Sequence, residues 1–192
     1  MLITIEPQFF SRFATAEEVT HGDAVFGGTQ WRDVANQPPE RKTRWLIEHY
    51  RDTVQRTGFK YVLDFELVDS RGASLYLVFG TSHQRGLEKM KEAMWEVDPE
   101  FGSGYRDPRD PNQETLDIQP MPQTQALQRL LISNLETRPG RRASVMELRQ
   151  FAFFQTIYKA SQVPPVVDDM ANRGRLSVER VVGRFNTVVR LN

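Results

Sequence analysis

KYVLDFELVDSRGASLYLVFGTSHQRGLEKMKEAMWEV, residues 60 to 97, decides the reading of this chain. Tyr61, Leu63, Phe65 and Leu67 alternate with Val62, Asp64 and Glu66, the period of two of a strand with one face more buried than the other. SRGA at 70 to 73 supplies a turn. Ser74 to Thr81 then returns with Leu75, Leu77 and Phe79 against Tyr76 and Val78, and so short a connection permits only antiparallel pairing. Leu87, Met90, Met94 and Val97 recur at intervals of three and four, an apolar helical stripe that can face the sheet. The stretch reads as the closing edge of an α/β sheet.

Working outward, Leu2 to Ile5 is a short, almost wholly apolar strand of the kind that suits the interior of a parallel sheet with neighbours on both sides. The expectation is a chain that begins in mid-domain. A helix over Gln8 to Phe13, a short one at Gln30 to Ala35 and a longer one over Glu40 to Arg56, ending at Gly58, follow from the apolar spacing and the punctuation. From Asp98 to Pro122 the character changes: prolines at 99, 108, 111, 120 and 122 lie among glycines and charges, which reads as a linker or long surface loop. Thr124 to Thr137 is again helical, with Ala126, Leu127, Leu130, Leu131 and Leu135 as its stripe.

The last fifty residues read as a small module of their own. Ser144 caps a helix, with Glu147 in the capping-box position. A second helix begins near Pro164 or Pro165 and runs to Gly174, and two β-rich runs, Leu176 to Val182 and Phe185 to Leu191, follow around Gly183 and Arg184. Helix, turn, helix and hairpin point to a winged helix-turn-helix. The expected division is therefore 1–98 as an α/β domain, 99–122 as the proline-rich connection and 123–192 as a helical connection with the winged helix.

Composition sets limits. With Lys and Arg equal in number to Asp and Glu at 25 each, the whole chain has no global pull toward nucleic acid or membrane. No apolar run is long enough to span a bilayer, and no basic-then-apolar leader opens the chain. Zero cysteines exclude disulfides, thiolate metal sites and cysteine nucleophiles. A cytoplasmic location fits.

Three segments, FGGTQWRDV at 26 to 34, YLVFGTSHQRGLEKMKEAMWEVD at 76 to 98, and the tail from Ser144 to Asn192, make the sequence similar to the three-Cys-motif partner protein (TcmP) family. Its members look like class I methyltransferases carrying a C-terminal winged helix. The resemblance implies S-adenosylmethionine as cofactor of a complete member and a radical-type three-cysteine protein as partner. It covers only the later part of a member. By this mapping Leu2 to Ile5 is the fifth strand, and the 60–81 hairpin supplies the antiparallel sixth and seventh. The strands that hold the cofactor have no counterpart, so no cofactor-binding or catalytic residue carries over, and the expectation is a fragment or one half of a split protein that is not catalytic by itself.

Gly27 and Gly28 lack any phosphate-loop pattern and read as a turn. Asp64 and Glu66 share a strand face and could take a divalent ion, or be solvated carboxylates of an edge strand. His83, where a strand meets a loop, could touch substrate or simply open the next helix. A site built from Asp64, Glu66 and His83 is the enzymatic alternative. Trp31, Trp45 and Trp95 lie in helical patterns and read as packing anchors.

Charge is concentrated in the tail. From Arg141 onward there are nine Lys or Arg against four acids, so the module is about five charges positive and the rest of the chain as negative. Arg141, Arg142, Arg173, Arg175, Arg180 and Arg184 are the candidate nucleic-acid contacts, Arg184 at the expected wing tip with Arg180 close by. Asp168 and Asp169 in the expected recognition helix oppose this, and a protein-docking role for the module, toward the three-cysteine partner, stays open beside DNA or RNA binding.

Overall fold

The computed structural model describes residues 1–106, 122–179 and 186–192, and it is a mixed α/β protein with two sheets. The chain divides into two compact units: residues 1–90 with 103–106, and residues 91–102 with 122–179 and 186–192.

The first unit is built on strands β1 (Leu2–Ile5), β2 (Tyr61–Val68), β3 (Ser74–Thr81) and β4 (Gly104–Arg106), in the order β1-β3-β2-β4. The hairpin pairs Tyr61 with Thr81 and Val68 with Ser74, the antiparallel register that the short turn demands. Asp69 makes that turn: its side chain accepts the Arg71 and Ala73 amides at 2.8 Å each, and Gly72 takes a φ of 81°.

β1 does share the hairpin's sheet, but the one strand it pairs with among the described residues is antiparallel to it, not parallel. It pairs antiparallel with β3, Leu2 opposite Phe79 and Ile5 opposite Tyr76, and no strand flanks its other side among the described residues. Its apolar run is therefore split by the pleat: Ile5 is buried while Leu2 is 58% exposed. β2, by contrast, is no edge, because β4 pairs with it in parallel through Glu66, Leu67 and Val68. A stretch of the proline-rich connection is thus a strand.

Helices α1 (Pro7–Phe13), α2 (His21–Phe26) and α3 (Pro39–Arg56), with a 3-10 helix at Thr29–Asn36, cover the face of the sheet that presents Ile5, Val62, Tyr76 and Val78. Phe26 and Trp31 stack with centroids 5.7 Å apart, and Phe10 meets both edge-on. Trp31 donates its indole N–H to Asp23 at 2.7 Å, and that bond holds the Asp23 carboxyl below its usual range. Arg32 gathers the carbonyls of Ala14, Ala16 and Val19, so the 26–34 segment serves the core. Gly27 ends α2 in the left-handed region, as a turn glycine should.

Helix α4 (Gln84–Val97) contributes residues to both units. Leu87 and Met94 are buried as the stripe requires, but Val97 is 52% exposed. Lys91 and Trp95 are buried instead, which shifts the helix's inner face round by about one residue.

The second unit packs α5 (Gln125–Glu136), α6 (Val145–Gln155) and α7 (Val163–Asn172) with a three-stranded sheet of β5 (Arg142–Ser144), β6 (Leu176–Glu179) and β7 (Val188–Leu191), ordered β5-β7-β6 and antiparallel throughout. Leu127, Leu131, Leu135, Leu148, Val163, Met170 and Val189 are its fully buried centre. Ser144 accepts the Glu147 amide, and the Glu147 carboxylate accepts the Ser144 amide in return, the capping box expected from the sequence. Residues 91–102 belong here rather than with the first 90 because Lys91 and Trp95 are pinned to the segment after α6. Lys91 Nζ donates to the carbonyls of Ala152, Phe153 and Tyr158 at 3.1, 2.6 and 2.8 Å, and Trp95 donates to Ile157. The first two carbonyls lie in the last turn of α6, where no intrahelical donor remains.

Candidate nucleic-acid interface

The second unit's sheet has one face on its core and one toward solvent. Ala143, Val189, Leu191 and Leu176 point inward and are buried; Arg142, Arg190, Ser177 and Glu179 alternate with them and are exposed. Arg142 lies directly opposite Arg190 across the β5/β7 ladder, and Arg190 lies directly opposite Ser177 across β6/β7. Two like charges in facing positions destabilise an antiparallel pair. Among the described residues, neither arginine has an ion-pair partner.

Of the six arginines expected to bind nucleic acid, four can be placed. Arg141 is exposed at the end of a 3-10 turn, with a φ of 52°. That conformation costs a residue with a side chain on the order of 1 kcal/mol. Arg142 follows it as the first residue of β5. Arg175 is exposed one residue before β6 and is fixed by its carbonyl, which accepts the Asn192 amide at 3.2 Å. Arg173 is not a free cation: its guanidinium pairs with Asp169 at 2.9 Å, four residues back on α7. Arg180 and Arg184, the expected wing contacts, lie outside the described residues. Arg190 is a further arginine of this face, and only the strand register shows that it stands beside Arg142.

Helix α7, the expected recognition helix, presents a different chemistry. Val163, Val166, Val167 and Met170 are buried, and the exposed positions are Pro165, Asp168 and Asn172. Asp169 is held by Arg173 and by the Gln128 amide at 2.9 Å, whereas Asp168 has no ion-pair partner among the described residues. A groove of about 320 Å³ beside it is lined by Met146, Arg149, Pro164, Val167, Asp168 and Val178. Met146 and Val178 are 37% and 45% exposed there.

In the first unit, the carboxylates considered for a metal are otherwise engaged. Both oxygens of Asp64 accept from guanidinium groups, Arg51 at 2.8 Å and Arg44 at 2.9 Å. Glu66 accepts the Ser74 hydroxyl at 2.7 Å and lies against Tyr76, whose hydroxyl is pushed up by burial and by that carboxylate. Among the described residues no group of three His, Asp or Glu is placed to hold a metal. His83 is exposed just past the end of β3 that pairs with Tyr61, while Asp64 and Glu66 lie further along β2. The three do not form one constellation. Trp31 and Trp95 are buried, and Trp45 stacks on His49 with an interplanar angle of 4°, so all three tryptophans pack within the protein.

Set against protein-family models, curated proteins and solved structures, the chain matches none of the three. Among the described residues no helix is long and apolar enough to cross a membrane.

Proposed function

We propose that the C-terminal unit is a winged-helix module that binds nucleic acid through arginines, attached to the closing part of a methyltransferase-like sheet that does not catalyse methyl transfer by itself. The observation that carries this reading is the pair Arg142 and Arg190, placed face to face with no carboxylate paired to either among the described residues. A polyanion would remove their repulsion and release its own counterions. The element order of the unit, helix, strand, two helices and a hairpin with its last strand central, supports the winged-helix assignment.

In the first unit β1 and β2 both run against β3, which agrees with an antiparallel strand closing such a sheet. The Gly28 amide, which a phosphate- or carboxylate-binding loop would leave free, is bonded to the Asp23 carbonyl at 2.8 Å. That bond makes Gly27–Gly28 a turn.

The test is fluorescence anisotropy with short labelled DNA and RNA duplexes and the full chain. Binding that weakens steadily with added salt supports the reading, and no binding to either at low salt refutes it. A second reading, docking of a three-cysteine partner protein, is favoured by the groove along α6 and α7, whose apolar floor and exposed Asp168 suit a protein segment better than a phosphate. Tight, salt-insensitive association with that partner, beside absent duplex binding, would select it.

A further inference from the structure

We infer that the phosphate-binding surface of the C-terminal unit is the solvent face of its three-stranded sheet, centred on Arg142 and Arg190 and flanked by Arg141 and Arg175, and that α7 does not enter the nucleic acid. This rests on the nucleic-acid reading above and goes beyond it by naming the surface. A helix that reads a groove has phosphates on both flanks, so it needs a neutral or basic outer side. The outer side of α7 carries Asp168 and Asp169 against Arg173 alone, a net negative charge, and Arg173 is already committed to Asp169.

The sheet face has the opposite character. Arg142 and Arg190 are adjacent through the register, Arg175 is anchored one residue beyond the paired part of β6, and Arg141 is set by its left-handed backbone just before β5. Ser177, opposite Arg190, donates its hydroxyl to the Arg190 carbonyl at 3.4 Å and ties the two strands together on this face. Glu179 is the one acid of the same face among the described residues, and it lies opposite Val188, a full pleat repeat along the ladder from Arg190. Fixed backbone positions matter here, since guanidinium groups on strands need lose only side-chain freedom on binding. The chemistry of the ligand is that of a phosphodiester backbone, recognised by charge and spacing rather than by base edges.

The experiment compares three proteins on one labelled, mixed-sequence DNA duplex at low salt: the full chain, the double variant R142Q/R190Q, and D168N. The double variant should bind about tenfold more weakly, the loss of two phosphate contacts, while its thermal unfolding midpoint stays level or rises as the facing charges are removed. D168N should bind as the unaltered chain does. Unchanged affinity in R142Q/R190Q, or tighter binding by D168N, would overturn the inference while leaving nucleic-acid binding intact. Failure of the unaltered chain to bind any duplex would overturn both.

Discussion

Lys91 and Tyr158 are joined by a 2.8 Å hydrogen bond from the lysine Nζ to the tyrosine carbonyl, and this contact decides what the C-terminal unit contains. With Ala152 and Phe153 it gives the ammonium three carbonyl acceptors, one for each of its three N–H donors, in a site where the side chain is 1% exposed. Burial opposes the charge, so the folded protein carries the three-donor ammonium below about pH 7 and a two-donor amine above it. The segment 91–102 is therefore structural to the module that carries the arginines.

Replacing Lys91 by methionine keeps the volume and removes all three donors. Ala152 keeps the Thr156 hydroxyl at 2.7 Å, but the Phe153 and Tyr158 carbonyls left behind should cost about 1–3 kcal/mol, read as a lowered midpoint in urea. The pH dependence has a definite sign. Burial pushes Lys91 down to about 7, below the 10.5 of a free lysine. Between those values the unfolded chain holds a proton that the folded chain has released, so stability should rise as pH is raised from 7 toward 10.5. The K91M variant should lose that rise. An identical slope in both proteins would contradict the assignment.

Gly22 and Trp31 make a second test. A Cβ added at Gly22 would overlap the indole of Trp31, which is itself fully buried and hydrogen-bonded to Asp23. Gly22→Ala should destabilise the first unit by about 1–3 kcal/mol through overpacking and shift the tryptophan emission. A variant as stable as the parent would show that the aromatic cluster of Phe10, Phe26 and Trp31 is looser than described.

The capping box at Ser144 offers a third. Ser144→Ala should cost about 0.5–2 kcal/mol, measured by thermal unfolding at neutral pH. The Glu147 carboxyl is held below its usual range, chiefly by the Ser144 amide, then by the Ser144 hydroxyl and Arg138. Its contribution is present above the ordinary glutamate range and lost as pH falls through the depressed value. The difference between parent and Glu147→Gln should accordingly shrink in acid; a difference that grows in acid would contradict the box.

Much of this is legible in the amino-acid sequence. The alternation in Tyr61 to Thr81 is set by local pleat geometry, and the Ser144 and Glu147 spacing by a single helical turn, so both survive in the fold. Where a residue's role depends on distant chain, the pattern was silent. LITI cannot say whether a neighbour lies on one side or two, and β1 has one partner strand among the described residues. Lys91 falls outside the apolar stripe of its helix, and its three acceptors lie about sixty residues away. Asp64 reads as a free carboxylate because Arg44 and Arg51 are on another helix. Arg190 becomes part of the interface only through the register that sets it against Arg142.

The most direct measurement is the salt dependence of duplex affinity for the parent chain and for R142Q/R190Q. If the sheet face binds phosphates, the slope of log affinity against log salt should be shallower in the variant by about 2, since each lost phosphate contact contributes about 0.9. Two parallel lines would mean that these arginines touch no phosphate, and the account would fail.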